Sequence, residues 1–450
     1  MSSNIFKRGD YGRYYYFKQL IELHNDTLNI EAEHAKYIIK TDDKKRLSLV
    51  ELEFYKTYVH ESIHFLDSTT TIWGIEYTVR LFNCLKNNNS SQFVDAFLLN
   101  DAEIEQHTSL NSTTAETKVF TYRTMRSILS YDKQHGVHIL FKYYDVDDQG
   151  FSEVLSTPIS MLALLEGHAF ASENLEALLV LNSSDDRVSA AFLEREYERV
   201  LSDARLTEYT CLLAFTEQLF EKFSFEEKLI TVIHTCRLAL DLPVLFPFPE
   251  SYIDACFKNA DAVLVSSLKM ELGRGMNRSS LVGLILIILS SVIESIPIGL
   301  EENFELALED RLFEMFRRDG DTLAECKKNF WLYRDLEYEF GCELLREKGA
   351  ELAYMSAKLN KDRVWSNFDL DKLVLPDVLL STGEFVSSKN RIDYDMESYF
   401  YSGDDTSEEL DLIIKNIKTK KPHLRPAVYH DWLQRIKAGE TGVRFYPDDN

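Results

Sequence analysis

Between residues 187 and 360 the sequence keeps a helical pattern almost without interruption, and this limits the folds open to the chain. Apolar residues recur there at helical spacing, which places them on one face of each helix. A turn rich in proline and aromatic residues, Pro243 to Pro249, divides the pattern. We therefore expect a mainly α-helical protein. The predicted helices cover residues 187–203, 205–223, 225–240, 250–270, 279–295, 301–318, 322–348 and 350–360.

A further predicted helix carries the first chemical motif. Leu49, Leu52, Tyr55 and Val59 have helical spacing, and the sequence H-E-S-I-H follows at residues 60–64. This is the pattern H-E-x-x-H, in which the two histidines stand at positions i and i+4 of one helix face. The motif is therefore predicted to present two imidazoles side by side.

Two imidazoles on one helix face can bind a single metal ion. His60 and His64 are the candidate metal ligands, and Glu61 lies about 100° away in the helical projection, beside the pair. A carboxylate in that position can take a proton from a metal-bound water. The alternative is a helix with two surface histidines and an exposed glutamate. Catalytic zinc usually has three protein ligands and a water, so a third ligand is needed.

The third ligand does not follow the motif directly. Metzincins continue as H-E-x-x-H-x-x-G-x-x-H, but Asp67 stands where their glycine is required and Thr70 where their third histidine is required. The other common solution takes a glutamate from a second helix. One stretch fits that solution, L-L-E-G-H-A-F-A-S-E at residues 164–173.

Together, H-E-S-I-H and E-G-H-A-F-A-S-E resemble the gluzincin branch of zinc metallopeptidases. In the aminopeptidase-N-like families the second helix reads approximately N-E-G-x-A-x-x-x-E, and its first glutamate binds zinc. The resemblance implies a zincin-like core in which Glu166 is the third zinc ligand. Glu173 matches the trailing acid, two helical turns later on the same face, where it could orient a histidine ligand. Gly167 and Ala169 would let the two helices approach closely.

This chain departs from the family pattern in two ways. Leu165 replaces the asparagine that often precedes the glutamate, and Glu166 follows His64 by 102 positions (166 − 64), against about twenty in the family. The resemblance therefore covers two short helices, with an insertion or subdomain between them. Glu166 could instead be a solvated helix residue. His168 is the rival ligand, but it lies about 200° around the helix from Glu166.

Several other elements are predicted locally. Val137 to Tyr144 is β-branched and aromatic, which predicts a strand, and we expect this strand at the edge beside the site, where extended substrate could pair with it. The oxyanion-stabilising residue stays open among several candidates: Tyr77, Tyr143, Tyr144 and His234. The remaining predictions are a strand at 14–17 or a helix starting at 17–24, a break at 68–71, a helix at 72–85, helices over 93–135, a helix starting at 156–158, irregular chain over 361–403 and a helix from Thr406.

Composition limits the classes of partner. The net charge of −24 opposes broad binding to nucleic-acid phosphates and to anionic membranes. Leu281 to Leu289 is too short an apolar run to span a bilayer and is predicted to be a buried core helix. The six scattered cysteines predict free thiols in a reducing compartment, and the first residues show no secretory signal. We therefore expect a cytoplasmic protein.

These observations predict a zinc-dependent metallopeptidase with Glu61 as general base and a protein or peptide as substrate. We expect a zincin-like catalytic region over residues 1–184 and a helical region over 185–450 that recognises substrate or forms a cleft wall. A di-iron carboxylate protein is the first alternative, because Glu31 and His34 repeat the Glu-x-x-His spacing of Glu61 and His64. A helical interaction protein with a vestigial metal site is the second. The oligomeric state stays open.

Overall fold

The structure is a computed structural model, and helices make up most of it. It describes residues 11–16, 18–87, 125–132, 136–147, 150–203, 206–246, 248–273, 277–299, 303–361 and 370–402. Fourteen α-helices and a few short strands lie in these residues, so the prediction of a mainly α-helical chain is confirmed. The predicted helix from Thr406 and the predicted helical residues 93–124 lie outside the described ranges.

The part of the chain that carries both motifs mixes helices and strands. Its elements are β1 (Gly12–Tyr15), β2 (Leu20–Leu23), α1 (Ala32–Lys40), α2 (Leu49–Thr70), α3 (Ile72–Asn87), β3 (Met125–Asp132), β4 (Gly136–Asp147), β5 (Gly150–Pro158) and α4 (Met161–Ser183).

The rest of the described chain is helical except for two short strands. Its elements are α5 (Arg187–Leu201), α6 (Thr207–Leu219), α7 (Phe225–Asp241), α8 (Glu250–Cys256), α9 (Ala262–Gly273), α10 (Arg278–Ser295), α11 (Phe304–Glu314), α12 (Leu323–Lys348), α13 (Glu351–Asn360), β6 (Val378–Leu380), β7 (Phe385–Val386) and α14 (Met396–Ser402).

The chain divides into two compact units, and helices α4 and α12 contribute residues to both. Unit 1 comprises residues 1–93, 172–193 and 341–421. Its sheet has the strand order β1-β2-β6-β7, with β2 and β6 parallel and the other two pairs antiparallel. Among the described strands, β1 therefore lies at an edge of this sheet. Helix α2 packs against β1, β2, α3 and α13.

Unit 2 comprises residues 94–171, 194–340 and 422–450. Its sheet has three antiparallel strands in the order β3-β4-β5. Helix α10 packs against α7, α6, α11 and β4. Helix α10 is long and apolar enough to cross a membrane by composition alone, with a mean hydropathy of 1.6, yet 61% of it is buried inside the protein. Such burial is what the sequence prediction of a core helix requires.

Several local predictions are wrong. Residues 361–403, predicted to be irregular, contain β6, β7 and α14. Residues 125–132 form strand β3, because they pair along their whole length with β4. Residues 156–158 end strand β5, and α4 starts only at Met161, where the Ser160 hydroxyl accepts a bond from the Ala163 amide at 3.0 Å. The segment 250–270 contains two helices, because Asp261 caps a new helix through the Val263 amide at 2.7 Å.

A break in the helix is predicted at the serine and threonine run, residues 68–71. Helix α2 instead continues to Thr70 and ends only at Thr71, whose backbone is extended. The Thr69 and Thr70 hydroxyls donate to carbonyls one turn earlier, at Phe65 and Leu66. These bonds keep both residues inside the helix. Helix α3 then begins at once, as predicted.

Candidate metal centre

Helix α2 brings the H-E-x-x-H motif into the interior. Its first turn is fixed by a capping box in which Ser48 and Glu51 bond to each other's backbone amides. The helix is then buried almost continuously, and His60, Glu61 and His64 are only 7%, 7% and 4% exposed. The alternative of two surface histidines with an exposed glutamate is therefore excluded.

The two histidines face each other through one nitrogen each. Nε2 of His60 and Nε2 of His64 lie 3.1 Å apart. Two nitrogens bound to one tetrahedral zinc ion at 2.0–2.1 Å are separated by about 3.3 Å. The same distance also suits one N–H···N bond in the metal-free protein. The imidazoles are thus already placed as a pair of ligands for one ion.

Helix α4 supplies the carboxylate that the sequence singled out. Ligand atoms of His60, His64 and Glu166 all lie within 4.8 Å of one another, and Glu166 is partly exposed. This is the only such group found in the described part of the chain. Two imidazoles and one carboxylate are donors that zinc accepts, and they leave a coordination position for water or substrate. The residues could therefore hold a metal ion.

An oxygen atom lies close to the second ring nitrogen of each histidine. Nδ1 of His60 lies 3.1 Å from Oε2 of Glu173, which is buried on α4 two turns after Glu166. Nδ1 of His64 lies 3.3 Å from the hydroxyl of Tyr16, the residue that follows β1. Oxygen atoms in such positions can orient histidine ligands. The motif spacing points to Glu173, whereas no motif in the sequence includes Tyr16.

Strand β1 packs directly against the candidate general base. A Cβ atom on Gly12 would stand 3.2 Å from Oε1 of Glu61 and 2.6 Å from Cγ2 of Thr57. Only glycine lets the strand approach α2 this closely. The Thr57 methyl cannot rotate away easily, because its hydroxyl donates to the Glu53 carbonyl at 3.1 Å. Gly12 therefore helps to define the position of Glu61.

We expect Gly12→Ala to destabilise the protein by about 1–3 kcal/mol, because the added methyl overpacks this contact. Urea denaturation would measure the change. Gly273→Ala is the matched control, since a Cβ there meets nothing within 4 Å. Adding Thr57→Ser to the Gly12 variant removes the clashing methyl, keeps the hydroxyl and should restore stability. No rescue by Thr57→Ser would place the strain elsewhere.

Three of the other candidate residues, His168, His234 and Tyr143, belong to unit 2. His168, the rival ligand, is buried in unit 2 near His234 and Arg237, and it does not belong to the group that could hold a metal. Burial lowers the pKa of His234 to about 3, and the charges of Arg237 and His168 act in the same direction. His234 is therefore neutral at physiological pH. Tyr143 is buried on β4.

Tyr77, another oxyanion candidate, contacts Tyr16. It lies on α3, stacks on Trp73 at 5.3 Å between ring centroids and meets the edge of Tyr16 at 6.0 Å. Tyr16 in turn contacts His64. The side chain of Tyr144, the remaining candidate, is outside the described side chains.

The second Glu-x-x-His pair is not at the centre. Nε2 of His34 bonds to Glu51 in the exposed first turn of α2. Glu51 precedes His60 by nine residues, which is about 13 Å along a helix. His34 therefore does not supply the second metal site that a di-iron protein would need.

Comparisons with known proteins return no match among family models, curated proteins or solved structures. No family can therefore be assigned to the chain, and function has to be inferred from the chemistry of the centre.

Proposed function

We propose that this chain is a zinc-dependent hydrolase of peptide bonds with a zincin-like core. The observation that carries the proposal is the convergence of His60, His64 and Glu166 from two helices, within 4.8 Å of one another. Glu61 directly follows His60 on helix α2 and is buried. A zinc hydrolase uses two imidazoles and one carboxylate as metal ligands and a second, adjacent carboxylate as the base.

The residues divide the chemistry among them. His60, His64 and Glu166 would hold the zinc ion, which when bound supplies the Lewis acidity that makes water a nucleophile near neutral pH. Glu61 takes the proton from the attacking water and later gives it to the nitrogen of the leaving amine. Glu173 orients His60 through its Nδ1 atom, 3.1 Å away.

Strand β1 is the element best placed to align a peptide substrate. It is an edge strand of its sheet, and its Gly12 contacts Glu61. An extended peptide can add to such an edge through backbone hydrogen bonds. The predicted substrate strand, 137–144, cannot take this role, because β4 is paired on both sides, with β3 and β5.

The composition of the chain suits a protein or peptide partner. A net charge of −24 favours neither nucleic acid nor an anionic membrane. The described cysteines Cys211, Cys236, Cys256, Cys326 and Cys342 are free thiols. Free thiols support a reducing, cytoplasmic location.

Metal analysis together with a cleavage assay tests this proposal. We expect one zinc per chain, and cleavage of a random-sequence peptide library that 1,10-phenanthroline abolishes and added zinc restores. Mass spectrometry would detect the new peptide termini. Two irons per chain would support a di-iron protein. Bound zinc without cleavage of any library peptide would support an interaction protein.

A further inference from the structure

The two candidate histidine ligands differ in the group that lies next to Nδ1, the ring nitrogen that faces away from the metal position. His60 faces the carboxylate of Glu173, whereas His64 faces a neutral phenol, the Tyr16 hydroxyl, at 3.3 Å from Nδ1. From this difference we infer that Tyr16 is a positioning residue of the metal centre, and that its hydroxyl holds the His64 ring in the orientation that can bind a metal. The inference rests on the proposed metal centre.

The chemistry of imidazole gives the direction of this hydrogen bond. A neutral histidine carries one ring proton, and the nitrogen that binds a metal must be the other one. Nε2 of His64 faces Nε2 of His60, so Nε2 is the metal-facing atom. With an ion bound at Nε2, the proton of His64 sits on Nδ1, which then donates to the Tyr16 oxygen. In the opposite tautomer, Nε2 would carry the proton and could not bind the ion.

The fold holds the Tyr16 ring in place independently of its hydroxyl. The ring meets Tyr14 edge-on at 4.7 Å between centroids and Tyr77 edge-on at 6.0 Å. Tyr14 is itself tied to α2, because its hydroxyl lies 2.6 Å from the Ser68 hydroxyl, one turn after His64. Burial raises the pKa of Tyr14, so this link is between two neutral hydroxyl groups.

Because ring packing holds Tyr16, removing its oxygen leaves the aromatic contacts in place. Tyr16→Phe is therefore a clean test of the hydroxyl. Loss of a partner to a histidine ligand typically weakens metal binding by about 10–100-fold. A neutral acceptor holds an N–H less strongly than a carboxylate does, so we expect the lower end, about 10-fold weaker zinc binding. Glu173→Gln should have the larger effect.

Tyr15→Phe is the matched control. Tyr15 is the neighbouring residue, its side chain lies on the opposite face of β1, and its hydroxyl donates to Glu22 at 2.6 Å. The same atom is removed from the neighbouring residue, away from the histidines. We expect zinc affinity to be unchanged in this variant.

Zinc affinity would be measured on the full chain by competition with a fluorescent chelator, for the wild type and both variants. Nitrogen-15 NMR of the zinc-bound histidine side chains would measure the hydrogen bond at Nδ1 of His64 directly. The expected result is weaker zinc binding and a shifted Nδ1 signal of His64 in Tyr16→Phe alone, with the melting temperatures of the two variants alike. A tyrosine that only packs against the centre would leave that signal unchanged.

Two outcomes would overturn the inference, and they differ in what they say of the proposed function. Equal zinc affinity and equal Nδ1 signals of His64 in Tyr16→Phe and Tyr15→Phe would remove the role of Tyr16 and leave the hydrolase proposal standing. A wild-type protein that binds no zinc would remove both. Tight zinc binding without peptide cleavage would remove only the hydrolase, and the comparison of the two variants would still decide the role of Tyr16.

Discussion

Replacing Glu61 by glutamine is expected to lower peptide cleavage by about 10²–10⁴-fold, the range that general base catalysis usually contributes. The amide has the size of the carboxylate, so it fits the narrow space beside Gly12, but it cannot accept the proton of the attacking water. The zinc content should stay at one per chain, because His60 and His64 are unchanged. Turnover of one library peptide and elemental analysis would measure the two effects.

Glu53→Gln provides the control for this variant. Glu53 lies two turns earlier on the same helix and pairs with Lys56, outside the candidate metal group. Its loss should leave both cleavage and zinc content unchanged. If Glu61→Gln cleaves as fast as Glu53→Gln, then Glu61 is not the base, and hydrolysis by this centre loses its support.

The residues of the centre that could be found from the sequence are those whose signal is local. His60 and His64 are one helical turn apart, and Glu166 and Glu173 are two turns apart. Such spacings are visible in a single helix. The structure brings the first three within 4.8 Å of one another. Helix α2 could be predicted for the same reason, because its apolar positions repeat within one segment.

Tyr16 and Gly12 could not be found in this way, because their roles depend on contacts between segments far apart in the chain. Tyr16 reaches His64 across 48 positions of sequence. Strand β2, which holds β1 in place, pairs in parallel with β6 at residues 378–380. No periodic pattern in residues 12–23 predicts either contact. A tyrosine-rich segment therefore predicts at most a strand.

The same limit explains the misplaced substrate strand. The composition of residues 137–144 predicts a strand, and β4 is one. Whether a strand lies at an edge depends on its neighbours, and the neighbour β3 lies in a segment whose own pattern predicts a helix. Pairing between strands overrode the local preference there. Position within a sheet is thus harder to predict than the strand itself.

Removing Glu166 is expected to have the second large effect, a loss of zinc affinity. Comparing this loss with that of a Glu173 variant distinguishes a metal ligand from a residue that supports one. Structural zinc sites with four ligands contribute about 10–16 kcal/mol, so one ligand accounts for roughly 2.5–4 kcal/mol, or about 10²–10³-fold in zinc affinity. Glu166→Ala should therefore weaken zinc binding by that factor. Glu173→Gln should weaken it by only about 10–100-fold, because Glu173 acts through His60.

Chelator competition would rank the two variants, with Glu53→Gln again as the unchanged control. Raising the zinc concentration should restore cleavage in Glu173→Gln, since its three ligands remain. It should not restore cleavage in Glu166→Ala, because two imidazoles alone do not form the three-ligand site that catalytic zinc uses. Wild-type zinc affinity in Glu166→Ala would show that this carboxylate is only a solvated helix residue, and the link between the two motif helices would be lost with it.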